Sequence, residues 1–239
     1  MKIFGRKQQE TAFCSMILLA AGNASRMEGK DKIFLELRDV PVLAYSLKIF
    51  EASPKVHEII IVTRSEMMTT AADICRKYDI HKAVKIVVGG RTRVHSVMAG
   101  LCEVSPNAQL IAIHDAARPF LTQTLLENVI ARATDCGAAA PAIPVKDTIK
   151  VSHEGIVEKT PDRTHLFAVQ TPQIFRADII KNAMIRALKE NAVVTDDCSA
   201  VERLGIPVTL TQGEEENIKV TTPMDLIIGE VILMGRDYV

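Results

Sequence analysis

Apolar residues along this chain fall into two patterns. Short unbroken runs occur at Cys14–Leu19 (CSMILL), Glu58–Thr63 (EIIIVT), Ala83–Val88, Gln109–His114 (QLIAIH) and Gly137–Ile143. Lacking polar alternation, they read as strands covered on both faces. Between them apolar positions recur every third or fourth residue. Pro41–Phe50 places Leu43, Leu47 and Phe50 on one side, and Arg93–Cys102 carries Val94, Val97, Met98 and Leu101. Met67–Tyr78, Asp178–Leu188 and Asp196–Leu204 are further helices. Leu125–Ala133 follows Thr124-x-x-Glu127, which reads as a capping box. The last helix is predicted to open at Thr222-Pro223, a cap followed by proline in the first turn. Strand–helix alternation of this kind predicts an α/β fold: a three-layer α/β/α sandwich around a mostly parallel central sheet.

Residues 144–170 break the rhythm. Asp147–Val151 and Ile156–Lys159 read as two strands joined by Ser152-His153-Glu154-Gly155. A polar-faced hairpin of this size has little core of its own. It is either a projecting arm that packs on a second subunit or a solvated excursion, and the pattern fits both. With no repeat and no linker, the expectation is one domain over residues 1–239 with a β-arm at about 144–168.

Composition narrows the function. The 239 residues are 48% apolar and 24% charged, enough for a full core. Lys plus Arg and Asp plus Glu are both 29, so the net charge is zero. That argues against a nucleic-acid binder or a basic membrane-surface protein, and anions must be held by local clusters. No apolar run approaches the ~20 residues of a membrane helix. The first residues, MKIFGRKQQETAF, lack the apolar stretch of a secretory signal and read as a polar lead. Five widely spaced cysteines without a CxxC pair read as reduced thiols of a cytoplasmic protein.

Candidate chemistry clusters just after strands, where open α/β sheets bind ligands. Leu18-Leu19-Ala20-Ala21-Gly22-Asn23-Ala24-Ser25-Arg26-Met27, with Lys30 and Lys32, combines small residues with three cations. It suits a phosphate chain, or else it is an ordinary turn with solvated charges. Neither a GxGxxG nor a GxxxxGK[ST] pattern is present. Gly89-Gly90-Arg91-Thr92-Arg93, with Ser96, follows the third strand and allows close approach of a flat ligand. His114-Asp115-Ala116-Ala117-Arg118-Pro119 follows the fourth, where Asp115 is suited to ribose hydroxyls or a divalent ion, and Arg118 is suited to pairing with it. Thr160-Pro161-Asp162-Arg163, Gln170-Thr171-Pro172-Gln173 and the stretch ending in Lys219 are weak singly and gain weight from their order.

Taken together, LLAAGxxxRM, GGxTRxxSVxxGL, HDAARPF, DR…QTPQ, TDDCSA and NIKVTTPxDL resemble the 2-C-methyl-D-erythritol 4-phosphate cytidylyltransferase family, from about Ser15 to the last helix. The resemblance implies a Rossmann-like nucleotidyltransferase fold and transfer of a cytidylyl group from CTP to a polyol phosphate, releasing pyrophosphate, with Mg2+ as cofactor. It also implies a homodimer whose β-arms interlock. By the same likeness Arg26 and Lys32 stabilise the transition state, and Arg163 and Lys219 position the acceptor phosphate. Thr148, Thr171 and Asp115 contact substrate together with Ala116, and Asp115 is the candidate metal ligand. Ala20, Ala21, Gly22, Gly90 and Ser96 form the CTP pocket. Two positions depart from the family pattern: Ala24, where relatives often have glycine, and Arg91, where some carry an acidic residue. The alternatives are a ribitol 5-phosphate cytidylyltransferase and a CTP-binding dimeric module without catalysis.

Overall fold

The computed structural model describes residues 12–22 and 33–236. Its centre is a run of parallel strands. β1 (Cys14–Ala20) opens the chain and is followed by a small ribbon, β2 (Glu36–Leu37) with β3 (Val40–Pro41), leading into α1 (Val42–Ala52). β4 (Glu58–Thr63), α2 (Met68–Lys77), β5 (Ala83–Val88), α3 (Arg93–Leu101), β6 (Leu110–Asp115), α4 (Gln123–Cys136) and β7 (Ala138–Pro144) continue the alternation. A hairpin of β8 (Val151–His153) and β9 (Ile156–Lys159) comes next, then β10 (Phe167–Val169) and β11 (Gln173–Arg176). The chain ends with α5 (Ala177–Lys189), α6 (Asp197–Glu202), β12 (Thr209–Gln212) and α7 (Pro223–Arg236).

The main sheet runs β10-β7-β11-β6-β1-β4-β5, with β12 on the other side of β7. β1 pairs in parallel with β4 and β6, and β4 with β5. β10 and β11 run antiparallel to their neighbours. The apolar runs of β1, β4, β6 and β7 are two-faced, as predicted, whereas β5 is the sheet's edge strand and leaves Val84 and Val88 half exposed, so it is not covered on both faces. In β4, Ile59 and Ile61 pack with Leu43, Leu47 and Phe50 of α1, while Ile60 and Val62 pack with Val94 and Val97 of α3. The second face is completed by Ile180 and Met184 of α5 and Val201 of α6. α7 closes a separate cluster over Leu37, Val42 and Phe120.

Local chemistry sets the boundaries and corrects some expectations. The cap of α4 is Thr122, whose hydroxyl accepts from Leu125 N–H, not Thr124. α4 stops at Gly137, which takes a left-handed φ of 86° that a side chain would resist, so the strand begins one residue later. Asp196 caps α6 in a reciprocal box with Ser199. Pro41 precedes α1 rather than entering it. The hairpin is shorter than its sequence pattern: residues 147–150 lie outside the strand, and the turn sits at Glu154-Gly155, both at positive φ. β10, β11 and β12 were not legible, being only three or four residues long.

Candidate active site

The carboxyl ends of β1, β5 and β6 open onto one cleft of about 380 Å³. Ala21 and Gly22 come from the loop after β1, Gly90, Arg91 and Thr92 from the loop after β5, and Arg93 and Ser96 from the first turn of α3. Asp115 and Lys219 face the cleft from the other side. Among the described lining residues, three cations (Arg91, Arg93, Lys219) stand against one carboxylate, Asp115. A chain of zero net charge thus keeps a local positive excess where an anion would sit.

The glycine turn is shaped by contact. A Cβ on Gly89 would strike Ala21 and the Ser96 hydroxyl, and one on Gly90 would strike His95. Ser96 Oγ accepts from the Gly90 N–H at 3.1 Å and donates to the Thr92 carbonyl at 3.1 Å. Thr92 caps α3 by accepting from His95 N–H. Bare backbone is therefore presented to the cleft at Gly90, on a turn held by its own helix.

Asp115 ties the two cationic sides together. Lys219 Nζ donates to Asp115 Oδ2 at 2.6 Å, and Arg93 Nη2 lies 3.4 Å from Asp115 Oδ1. Arg93 Nη1 also donates to Asp197 Oδ1 at 2.5 Å. Burial disfavours the Asp115 carboxylate, but Lys219 and then Arg93 outweigh it and hold the carboxyl well below the usual range. Burial likewise opposes the Arg93 charge, and Asp197 and Asp115 more than restore it. Asp197 goes the other way: its burial pushes the carboxyl upward despite Arg93. Asp197 Oδ2 has no hydrogen-bond partner among the described residues.

The expected site residues divide into four groups. Ala21, Gly22, Gly90, Ser96, Asp115 and Lys219 line the cleft. Ala20, Ala116 and Thr171 do not: they are 0%, 0% and 4% exposed, because strand β1 and the turn after β6 pack them beneath the floor. The Thr171 hydroxyl accepts from Asp115 N–H at 3.1 Å, so it supports the turn instead of facing a ligand. Thr148 and Arg163 lie on the arm, exposed, where the Arg163 guanidinium donates to the Lys146 carbonyl at 3.0 Å. Arg26, Lys32, Lys30 and Ala24 lie outside the described residues. The Arg118 guanidinium does not close the ion pair with Asp115, or with another carboxylate among the described residues, that its spacing allowed, although its backbone N–H donates to the Asp115 carbonyl at 2.9 Å. Its guanidinium donates to the Asn217 carbonyl at 2.6 Å. Arg93 stood in the candidate stretch after the third strand without a role of its own, and Asp197 was quoted only within TDDCSA. An arginine opening a helix after a glycine turn was the available signal for the first, and the paired acids of TDDCSA for the second.

As a metal site the cleft is poorly furnished. Both Asp115 oxygens are engaged by side-chain cations, and no group of three His, Cys, Asp or Glu residues suited to a metal occurs among the described residues. Asp115, expected as a metal ligand, holds Lys219 and Arg93 in this structure.

A strand-end cleft with glycine backbone on one wall and clustered cations on the other, in an open α/β sheet, is suited to a nucleotide or another anionic ligand. Comparison with known proteins gives the class, a nucleotidyltransferase, and the family within it. The pattern of the family described as 2-C-methyl-D-erythritol 4-phosphate cytidylyltransferase matches residues 14–235. A protein of that name from Clostridium botulinum (strain ATCC 19397 / Type A) is 44% identical over 221 residues, 92% of this chain and 96% of the relative. One from Dehalococcoides mccartyi (strain CBDB1) is 43% identical, over 91% and 94% of the two chains. Among solved structures, the 4-diphosphocytidyl-2C-methyl-D-erythritol synthase of Anaerococcus prevotii superposes with a TM-score of 0.84 at 31% identity, covering 94% of this chain and 97% of that one. The chain belongs to the 2-C-methyl-D-erythritol 4-phosphate cytidylyltransferase family.

Proposed function

We propose that this cytidylyltransferase joins the phosphate of 2-C-methyl-D-erythritol 4-phosphate to the α-phosphorus of CTP, with pyrophosphate leaving in line. The observation that carries this reading is the Asp115–Lys219–Arg93 cluster facing bare glycine backbone across one cleft. An acceptor phosphate is already an anionic nucleophile near neutral pH, so no strong general base is needed. The barrier lies in bringing two anions together, which positioning and charge neutralisation lower. Lys219 and Arg163 hold the acceptor phosphate, Gly90 and Ser96 frame the nucleotide, and Arg26 and Lys32 offset the charge that develops on the transferring phosphoryl group.

Nucleotidyltransferases in general use a divalent metal. Mg2+, where bound, would supply charge neutralisation of the triphosphate, and Asp115 is the carboxylate of the cleft that would lie beside it. Arg163 and Thr148 act on the cleft of a second copy, which makes the working form a homodimer joined through its arms at about residues 144–168. The chain works as one domain in the cytoplasm. No helix among the described residues is long and apolar enough to cross a membrane.

Pyrophosphate release with CTP and Mg2+ tests this directly, with methylerythritol phosphate and ribitol 5-phosphate compared as acceptors. Turnover with the first is expected. Turnover with ribitol 5-phosphate alone, or CTP binding without turnover, would overturn it.

A further inference from the structure

The segment Gln170-Thr171-Pro172-Gln173 presents no side chain to the cleft. Its three polar side chains are nonetheless buried, at 4%, 4% and 2% exposure. Burying such groups is costly unless each is hydrogen-bonded. Each is, and each to a different segment.

Gln170 holds the turn before Lys219. Its Nε2 donates to the Glu214 carbonyl at 2.7 Å, while its Oε1 accepts from Glu214 N–H and Asn217 Nδ2, both at 3.3 Å. Thr171 holds the Asp115 turn. Its Oγ1 accepts from Asp115 N–H at 3.1 Å and lies 3.0 Å from His114 Nδ1. The hydroxyl has one proton to give, and it goes to Nδ1. That leaves Nε2–H to donate to the Arg118 carbonyl at 3.1 Å. The buried imidazole therefore links the Arg118 carbonyl at one end of the turn to the Thr171 hydroxyl, which holds Asp115 N–H at the other. Gln173 holds the start of α6. Its Oε1 accepts from Asp197 N–H and Cys198 N–H, both at 3.0 Å, and its Nε2 donates to Asp196 Oδ2 at 2.8 Å. From that first turn Asp197 grips Arg93.

We propose that Gln170, Thr171 and Gln173 are positioning residues that set Lys219, Asp115 and Arg93 relative to one another, so that a single segment fixes the geometry of the charged floor. This rests on the transferase reading above and deepens it. Core filling alone would be met by apolar side chains and would not require three polar groups bonded to three separate loops.

The test uses the full chain with Thr171→Val, which removes the hydroxyl at nearly constant volume, and Thr171→Ser, which keeps it. Two quantities are read well below the melting temperature. One is kcat/KM with CTP and methylerythritol phosphate per folded chain. The other is the rate at which acetic anhydride modifies Lys219 relative to Lys189 of α5, followed by peptide mass spectrometry. Thr171→Val is expected to lower kcat/KM by about a hundredfold, as a misplacement of about an ångström does. It is also expected to speed Lys219 acetylation severalfold, because Asp115 no longer restrains the amine. Thr171→Ser should return both toward the parent values. On an Asp115→Asn background, Thr171→Val should cost less than about twofold further, the behaviour of two residues acting through one another. A lowered melting temperature with both readouts unchanged would overturn the inference and leave the segment as packing. Faster acetylation in a protein that turns over neither acceptor would uphold it while removing the transferase reading. Should Thr171→Val fail to fold, Gln170→Met carries the same two readouts, and unchanged Lys219 acetylation there would sink the proposal.

Discussion

The floor of the cleft and the β-arm are built in opposite ways. Beneath the floor, His114 and Thr171 are buried and bonded to the backbone of the turn they support, and Asp115 above them grips two cations. On the arm, Ile156 is 73% exposed, Val151, Val157 and Phe167 are also uncovered, and β8 and β9 pair only with each other. A two-stranded hairpin with exposed apolar side chains is marginal by itself. The floor is thus finished within one chain, whereas the arm presents apolar side chains that the described residues leave uncovered. The two regions should therefore respond differently to mutation, pH and concentration.

The largest contrast is expected at Lys219. Replacing it by Met removes a charge that lines the cleft and leaves Asp115 with Arg93 as its hydrogen-bonded cation. A cation that holds and neutralises the attacking phosphate is worth about 3–4 kcal/mol, or roughly a hundred- to thousandfold in kcat/KM for the acceptor. Steady-state pyrophosphate release measures this, and a kcat/KM within a few-fold of the parent would remove Lys219 from the acceptor site.

The floor should also be sensitive to acid. His114 is wholly buried, and burial pushes its pKa down from 6.5 to about 4. Between those values the unfolded chain binds a proton that the folded chain does not, so stability falls as pH drops and is flat above about 6.5. At the extreme the loss approaches about 3 kcal/mol. Urea unfolding at pH 7 and at pH 4.5 checks it, with His114→Gln as the control that should flatten the dependence. An equally steep loss in His114→Gln would place the acid sensitivity elsewhere.

Arg163 offers a smaller effect that bears directly on the arm. A hydrogen bond to a charged group contributes about 1.5–3 kcal/mol, so Arg163→Ala should raise the acceptor KM by roughly ten- to a hundredfold with kcat less affected. Mixing this variant with Lys219→Met sharpens the point. If arms serve the neighbouring cleft, a mixed dimer contains one site with an intact floor and an intact arm, and activity returns. If each arm serves its own cleft, mixing restores nothing.

Legibility in the sequence followed the same divide. The central strands β1, β4 and β6 were readable because they are buried on both faces, and runs such as EIIIVT have few other interpretations. The loops after β1, β5 and β6 were readable because glycine, small residues and charge sit at strand ends. Thr171 was assigned to the substrate, but it lies beneath the floor. A hydroxyl that bonds a ligand and one that bonds a neighbouring turn look alike in one dimension. Arg93 stood in a candidate stretch, but its pairing with Asp197 was not foreseen, because it spans 104 positions and depends on α3 and α6 meeting above the same sheet. Antiparallel β10 and β11 escaped notice because three or four residues cannot establish a period.

The smallest expected effect concerns the fold itself and separates the arm from the core most cleanly. Ile156→Asp places a charge on an exposed position of β9. In dilute solution, where any dimer has dissociated, unfolding free energy should change by no more than about 0.5 kcal/mol, as for other surface substitutions. At high concentration the parent should gain stability through association and the variant should not, because binding to the folded state alone raises the melting temperature with concentration. Sedimentation and thermal unfolding across a concentration series measure both. A concentration-independent drop of several degrees in Ile156→Asp would mean that the arm packs within its own chain, and that the arm completes the site that carries it.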